Sequence, residues 1–447
     1  MSSIVIQLAK YFMIILAAVY TFMCFSVFYK KNQGKKSEEI YKKQTILIYL
    51  IQIMAYIAMF SATGEKEILI EYGYSVLLLT AIQLVYRFVY LNASVLLVNN
   101  MCMLLMTGMV ILTRLDTGKA KRQMMIAAGS LLISAFVPLI MNRFRNRFRK
   151  MKWIYAGTAV LLLCAVLVVG KISYGAKISI AIGGVSVQPA EFVILLYVFF
   201  VAVMYHEATS KRQIIITSAV AALQVLLLVA SKDLGGALIL FVIYVVMIYI
   251  DTKKWYYLLG SGVFVFLAML IGEKLFHHVQ VRVLAWRDPL SVIYNEGYQI
   301  SQSLFAIGTG GWFGTGLCQG KPDTIPVVAQ DFVFSAIAEE MGAIYAVCII
   351  MVCFSCLVMF FNIAMQMKDS FYKYAAFGMG TSYGFQVFLT IGGVIKLIPS
   401  TGVTLPLVSY GGSSILATFM MFALIQSLYI LNDEKRDTYG KKEKGKS

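Results

Sequence analysis

From Arg282 to Glu340 the chain reads R-V-L-A-W-R-D-P (282–289), then E-G-Y-Q-I-S-Q-S-L-F-A-I-G-T-G-G-W-F-G-T-G (296–316), then I-P-V-V-A-Q-D-F-V-F-S-A-I-A-E-E-M-G (325–342). It is the one long interruption between apolar runs that otherwise follow each other closely. Connections of roughly fifty residues are far longer than the usual loop and tend to carry function. This one ends on Asp331, at the lip of the next apolar segment. A carboxylate at a membrane boundary is a functional-site candidate by default.

The flanking sequence sets the fold class. Of 447 residues, 60% are hydrophobic and 14% charged, and mean hydropathy is +0.78; a soluble domain carries about 25% charge. Apolar runs lie near 4–28, 45–62, 69–90, 93–112, 123–141, 153–170, 188–206, 213–231, 233–250, 256–273, 331–361, 373–394 and 407–431. Each is long enough for a bilayer core of roughly 30 Å, and backbone without water partners there must be helical. The expectation is an all-α polytopic membrane protein with thirteen spans. The first run lacks the basic start and small-residue cleavage site of a removable signal.

Charge placement orients the spans. Lys30–Lys43 holds six lysines against two glutamates, and Asn142–Lys152 six basic residues and no acid; Lys211–Arg212, Lys253–Lys254 and the tail Lys435–Lys446 continue the series. With thirteen alternating spans all five fall on one side, expected to be cytoplasmic. The N-terminus and the 274–330 loop are then outside. Arg114–Arg122, with four basic residues, is the exception. The net charge of +17 is explained by loops facing anionic lipid, so no nucleic-acid partner is expected.

Six of the seven cysteines lie in apolar runs, as small apolar residues do. Cys318 stands alone in the long loop, so no disulfide framework is implied. The three histidines, His206, His277 and His278, give only a weak metal signal.

Four patches fall on the outer side in this topology. They are Gly175–Ile180 with Gln188-Pro189-Ala190-Glu191; Lys232-Asp233-Leu234-Gly235-Gly236; the long loop ending at Asp331, with Glu339 and Glu340 deeper; and Lys396–Pro406 with Ser409–Ser414. Each has a structural alternative. Gln188-Pro189 suits a helix start, Glu191 a helix N-terminus, and the small residues 411–414 close helix approach. Convergence of both charge signs on one face favours function.

Those patches, in that order, resemble the SEDS family (shape, elongation, division and sporulation), the RodA/FtsW-like proteins. The family's Q-P-S-E is matched by Gln188-Pro189-Ala190-Glu191 and its D-L-G by Asp233-Leu234-Gly235. Its long-loop signature is matched by Gly297-Tyr298-Gln299, Gln302-Ser303-Leu304 and Ala306–Gly316, and its D-F-I-F-A…E-E-G by Asp331–Ser335 with Glu339–Gly342. Its closing P-T-G-L-T-L-P-L-I-S-Y-G-G-S-S is nearly verbatim at Pro399–Ser414. The resemblance covers roughly 95–431. It implies a ten-helix core over 92–431, an N-terminal extension of three helices over 1–91 and a basic tail over 432–447.

The resemblance further implies a peptidoglycan glycosyltransferase of the bacterial cytoplasmic membrane, its site facing outside, serving elongation, division or sporulation. Its substrate would be lipid II and its partner a class B penicillin-binding protein. The family's essential aspartate falls on Asp331, which could act as general base on an attacking sugar hydroxyl. Arg282, Lys396, Lys232 and Lys177 are the candidate diphosphate ligands, with Glu191, Asp233, Gln299 and Ser409 as further substrate contacts. No metal site is assigned, and a divalent cation is the one cofactor candidate left open. The chain departs from the family pattern at Ala329-Gln330, at Lys177-Ile178-Ser179, at Ile194 and at Ser231-Lys232. A lipid II transporter and a non-catalytic scaffold are the competing readings.

Thirteen spans place Gly34 inside, after the first lysine-rich turn. On a background lacking the native cysteines, Gly34→Cys is expected to stay unlabelled by an impermeant maleimide in intact cells. Labelling there would show the span count or the orientation to be wrong.

Overall fold

The computed structural model describes residues 2–29, 34–173, 176–182, 185–207 and 210–444. Of the residues singled out above, Lys30, Gly175 and Lys446 lie outside these. The chain opens with three long helices, α1 (Ser2–Tyr29), α2 (Gly34–Thr63) and α3 (Lys66–Leu84), the last running into a π turn over Val85–Val89. Then come α4 (Val95–Leu115), α5 (Thr117–Ala135), α6 (Val137–Arg143), α7 (Arg145–Phe148) and α8 (Lys152–Val169). After a small sheet follow α9 (Pro189–His206), α10 (Lys211–Ala230), α11 (Leu234–Thr252) and α12 (Tyr256–Leu275). The chain closes with α13 (His277–Arg287), α14 (Tyr298–Gly310), α15 (Val333–Gln366), α16 (Ser370–Val394) and α17 (Gly412–Lys444).

The fold is all-α and polytopic. Among the described residues twelve helices are long and apolar enough to cross a membrane. The remaining expected run, 373–394, is the helix α16, 25 residues long; its five glycines, three tyrosines and Gln386 dilute its hydropathy.

Two segments read as connections have structure of their own. The long interruption contains α13 and α14 and a 3₁₀ turn at Pro322–Thr324. Between α8 and α9, β1 (Lys171–Ser173), β2 (Ala176–Ile182) and β3 (Val185–Val187) form an antiparallel sheet in the order β1-β2-β3. Ile172 pairs with Lys177, and Ile180 with Val187. The alternation of K-I-S, K-I-S-I and V-S-V supplies the period of two that a pleated strand needs.

The chain divides into two compact units. The first comprises residues 1–129, 281–356 and 387–411; the second comprises 130–280, 357–386 and 412–447.

In the first unit α4 is the central element, buried along nearly its whole length from Leu96 to Thr113. The extension helices meet it through a buried polar seam. Tyr20 Oη donates to Asn100 Oδ1 at 2.9 Å, and Asn100 Nδ2 to Ser355 Oγ at 3.0 Å. Asn99 Nδ2 donates to Gln44 Oε1 at 3.2 Å. Such bonds fix helix pairs in an apolar medium, where packing against lipid tails gives little preference. At Gly108, a Cβ would lie 2.6 Å from the Val408 carbonyl oxygen, so only glycine allows residues 407–408 to pass so close.

The chief irregularity is in α15, where Gly342 has φ 89° and ψ 163° inside the helix. A break at that depth would strand backbone groups without water. The segment 311–316 supplies the partners. Thr315 N donates to Glu339 O and Gly316 N to Glu340 O, both at 2.9 Å; in return Ala343 N donates to Gly311 O at 2.9 Å and Ile344 N to Trp312 O at 3.2 Å. The loop thus adds to the opened helix as a strand adds to a sheet edge.

In the second unit α9 is the most buried span. Its Phe199 ring stands 5.6 Å from Tyr155 of α8, and Val198 lies against Gly378 of α16. Phe360, Tyr383 and Phe422 form an edge-to-face cluster. The basic loop 143–152 is tied down by Arg149 to Asp369 and by Lys152 to Glu207 at 2.5 Å.

A side chain at residue 342 is excluded twice over: its φ is left-handed, and a Cβ would lie 2.4 Å from Gly314 N. Gly342→Ala is therefore expected to destabilise the protein by about 3 kcal/mol or more. Thermal unfolding in detergent should show a midpoint at least ~5 °C below wild type; an unchanged midpoint would contradict the pairing described for this break.

Candidate functional site

Asp331 stands two residues before the α15 span, on a tight turn. Its N–H reaches Val327 O at 3.3 Å, as Gln330 N does at 2.9 Å. Val327 has φ 51°, a conformation that strains a β-branched residue and one that clusters at functional sites. The turn is held by the closing motif. Tyr410 N donates to Ala329 O at 2.7 Å, and Ser409 Oγ donates to Gln330 O at 2.5 Å. The same hydroxyl accepts from Leu405 N at 2.9 Å.

Gln123 completes this clasp, its Nε2 donating to Ser409 O at 2.8 Å while its Oε1 accepts from Gly411 N at 3.2 Å. Ser409, expected as a substrate contact, is 2% exposed with its hydroxyl committed to backbone, so it supports the site from within.

Facing the carboxylate is Arg282 of α13. A Cβ placed on Gly402, whose φ is 74°, would lie 3.6 Å from both Arg282 Nη2 and Asp331 Oδ2. The glycine takes the left-handed turn that brings this segment against both the guanidinium and the carboxylate. Withdrawal from water pushes the Asp331 carboxyl up to about 6, while the positive charge of Arg282 works in the opposite direction. A carboxyl in that range is poised to exchange a proton near neutral pH. The hydroxyl oxygen of Thr401, next to Gly402, is buried and has no hydrogen-bond partner among the described residues.

α13 is anchored to the same segment, since Trp286 Nε1 donates to Lys396 O at 3.1 Å. Lys396 is half-buried with φ 61°. Ser303 of α14 bonds Ser335 of α15 at 2.7 Å and donates to Val394 O at 3.0 Å. Gln299 lies half-buried in the first turn of α14. The first unit thus gathers Asp331, Arg282, Gly402, Ser409 and Lys396 through α13, α14, α15 and the segment after α16.

Sequence reasoning named Glu339 and Glu340 but missed the cluster they form with Arg114 in this unit. Glu340, 1% exposed, receives Arg114 Nε at 2.8 Å, while Arg114 Nη2 donates to Gly320 O at 3.3 Å and Nη1 meets Asp323 at 3.4 Å. Glu339 Oε1 accepts from Lys321 N at 2.8 Å. Arg114 was half of a clue, being one of the basic residues that broke the charge rule: its charge is held by Glu340 of α15 and Asp323 of the loop. Gln123 had no such signal.

The second unit holds the other motif residues. Pro189 starts α9, with Gln188 N bonded to Ser413 Oγ at 2.8 Å. Glu191 faces Gln386 Nε2 at 3.5 Å, bonds Ser414 and feels the charge of Asp233. Asp233 caps α11, its Oδ1 accepting from Gly236 N at 2.9 Å. Lys232 ends α10 in a left-handed turn, φ 65°; Asp233 N reaches Leu228 O at 2.9 Å and Lys232 N reaches Val229 O at 3.0 Å. This is the Schellman closure with lysine where glycine is usual. Lys232 is exposed, whereas Lys177 Nζ donates to Leu167 O at 3.0 Å, capping the last turn of α8.

These motifs have counterparts in known proteins. The family of FtsW, RodA and SpoVE, described as cell cycle proteins, matches residues 87–433. The chain belongs to this family. Residues 1–86 fall outside the match.

The peptidoglycan glycosyltransferase RodA of Mycobacterium leprae (strain TN) is 32% identical to this family member over 346 residues, 71% of this chain and 74% of that one. RodA of Mycobacterium bovis is 36% identical over 268 residues. There the match spans 56% of this chain and 57% of that protein. Among solved structures, a chain from a peptidoglycan synthase complex that coordinates polymerization and crosslinking superposes with a TM-score of 0.65 at 26% identity, over 77% of this chain and 99% of that one. The rod shape determining protein RodA of Thermus thermophilus gives 0.57 at 25%, over 76% and 97%.

Proposed function

We propose that the protein is a peptidoglycan glycosyltransferase that polymerises lipid II at the outer face of the bacterial cytoplasmic membrane, with Asp331 as general base. The observation that carries this reading is the Asp331 carboxyl, half-buried and raised to about 6, set with Arg282 beside Gly402. The names of the relatives support it.

In the proposed reaction a sugar hydroxyl attacks the anomeric carbon of a second, lipid-diphosphate-linked sugar. The new C–O bond forms as the bond to the diphosphate oxygen breaks, and the hydroxyl proton passes to Asp331. Charge accumulating on the diphosphate is met by Arg282 and by Lys396, cations held by α13 and by the turn before Pro399. Thr401 can donate its unpartnered hydroxyl to the substrate, and Gln299 is proposed as a further substrate contact.

Within the second unit, Glu191 and Asp233 with the exposed Lys232 are proposed as a substrate-recognition patch in their own right, and Lys177 as its structural support. The partner proposed is a class B penicillin-binding protein, a reading supported by the synthase complex among the structural relatives. No group of three or more His, Cys, Asp or Glu suited to a cation is gathered among the described residues. The donors around Asp331 do not fit a resident divalent ion, because Arg282 already supplies the positive charge.

Asp331→Asn keeps the shape of the side chain and removes its basicity. With purified protein and lipid II, this variant is expected to lose at least ~10²-fold in glycan-strand formation while inserting normally. Arg282→Gln and Lys396→Gln should slow turnover. Polymer made by Asp331→Asn at the wild-type rate would sink the mechanism and leave a transporter or a scaffold.

A further inference from the structure

Lys10 is a charged residue inside an apolar helix, 6% exposed, in the part of the chain that the family match leaves out. Ionisable side chains at such positions are expensive and mark function. Its Nζ donates to Gly314 O at 3.0 Å. One turn earlier Gln7 Nε2 donates to Thr315 O at 3.3 Å. Ile6 lies against Gly316, where a Cβ would come within 2.9 Å of Ile6 Cγ2, and the Tyr11 ring stands 5.7 Å from Phe313. Residues 6, 7, 10 and 11 share one face of α1, and all four address residues 313–316.

That segment is the one that pairs with the break in α15. The amides of Thr315 and Gly316 go to Glu339 and Glu340, and the carbonyls of Gly314 and Thr315 go to α1. It is therefore hydrogen-bonded on both edges, between two helices. A membrane helix has no free backbone N–H along its length, so only side-chain donors can close the second edge. A methionine at residue 10 would fill much of the same space and remove the donor to the half-buried Gly314 carbonyl.

We propose that α1 is a built-in clamp, with Lys10 and Gln7 as positioning residues. They hold segment 313–316 on α15 and so fix the first turns of that helix, from Val333 to Gly342, which follow directly from Asp331. The clamp itself is independent of the reaction assigned above; its effect on activity rests on that assignment.

The test uses the full-length protein in detergent with Lys10→Met, Lys10→Arg and Gln7→Leu. Hydrogen exchange of the peptide covering 311–319 reads the clamp, and lipid II polymerisation reads its consequence. Lys10→Met is expected to speed exchange at Thr315 and Gly316 by about tenfold, the loss of one bond from a charged donor. It should lower kcat by a similar factor with KM little changed. Gln7→Leu should do the same more weakly, and Lys10→Arg should restore protection and rate.

Unchanged exchange in Lys10→Met would overturn the clamp, and so would unchanged exchange in Gln7→Leu if Lys10→Met fails to fold. Faster exchange with wild-type turnover would overturn the positioning role. If the wild-type protein makes no polymer, the assigned reaction fails, and the exchange arm still decides the clamp.

Discussion

A half-buried carboxylate beside a guanidinium, with a left-handed glycine next to both, is the constraint on which the site depends. Desolvation pushes the Asp331 carboxyl up and the charge of Arg282 works against it, which leaves the group at about 6. Gly402 is the third member of the arrangement. A Cβ there would touch both charged groups, and its left-handed φ strains residues with a side chain.

Much of the first unit serves to hold those three residues. The closing motif clasps the turn before Asp331 through Ser409, Tyr410 and Gln123. Trp286 fastens α13, and with it Arg282, to the turn at Lys396. The Ser303–Ser335 bond joins α14 to the start of α15, and segment 311–316 repairs the break at Gly342. Each is a polar contact made where water is scarce, so each has few alternatives and fixes geometry more firmly than the same bond at a surface would.

The long apolar runs were legible because a bilayer demands about twenty apolar residues of any helix that crosses it, and each expected run is a helix here. The motifs showed which residues would gather chemistry. Their backbone surroundings stayed hidden. Ser409 and Lys177 look like substrate ligands by residue type, yet their polar atoms are taken by Gln330 and Leu405 in one case and by Leu167 in the other. Such pairings join positions remote in sequence and leave no periodic trace. The break at Gly342 lies inside a run that is helical on both sides of it, and α13 and α14 are masked by the polar and glycine-rich loop around them. Arg114 alone left a mark, as the violation of a charge rule.

The pH dependence of turnover tests the central claim most directly. A base whose carboxyl is raised to about 6 is ionised above that pH and protonated below it, so kcat/KM should fall as pH drops through about 6. Replacing Arg282 with glutamine removes the charge that opposes the rise, and the acid limb should move to higher pH. A limb near the ordinary aspartate range, or one that stays in place or moves lower in Arg282→Gln, would contradict the pairing of Asp331 with Arg282 as the heart of the site.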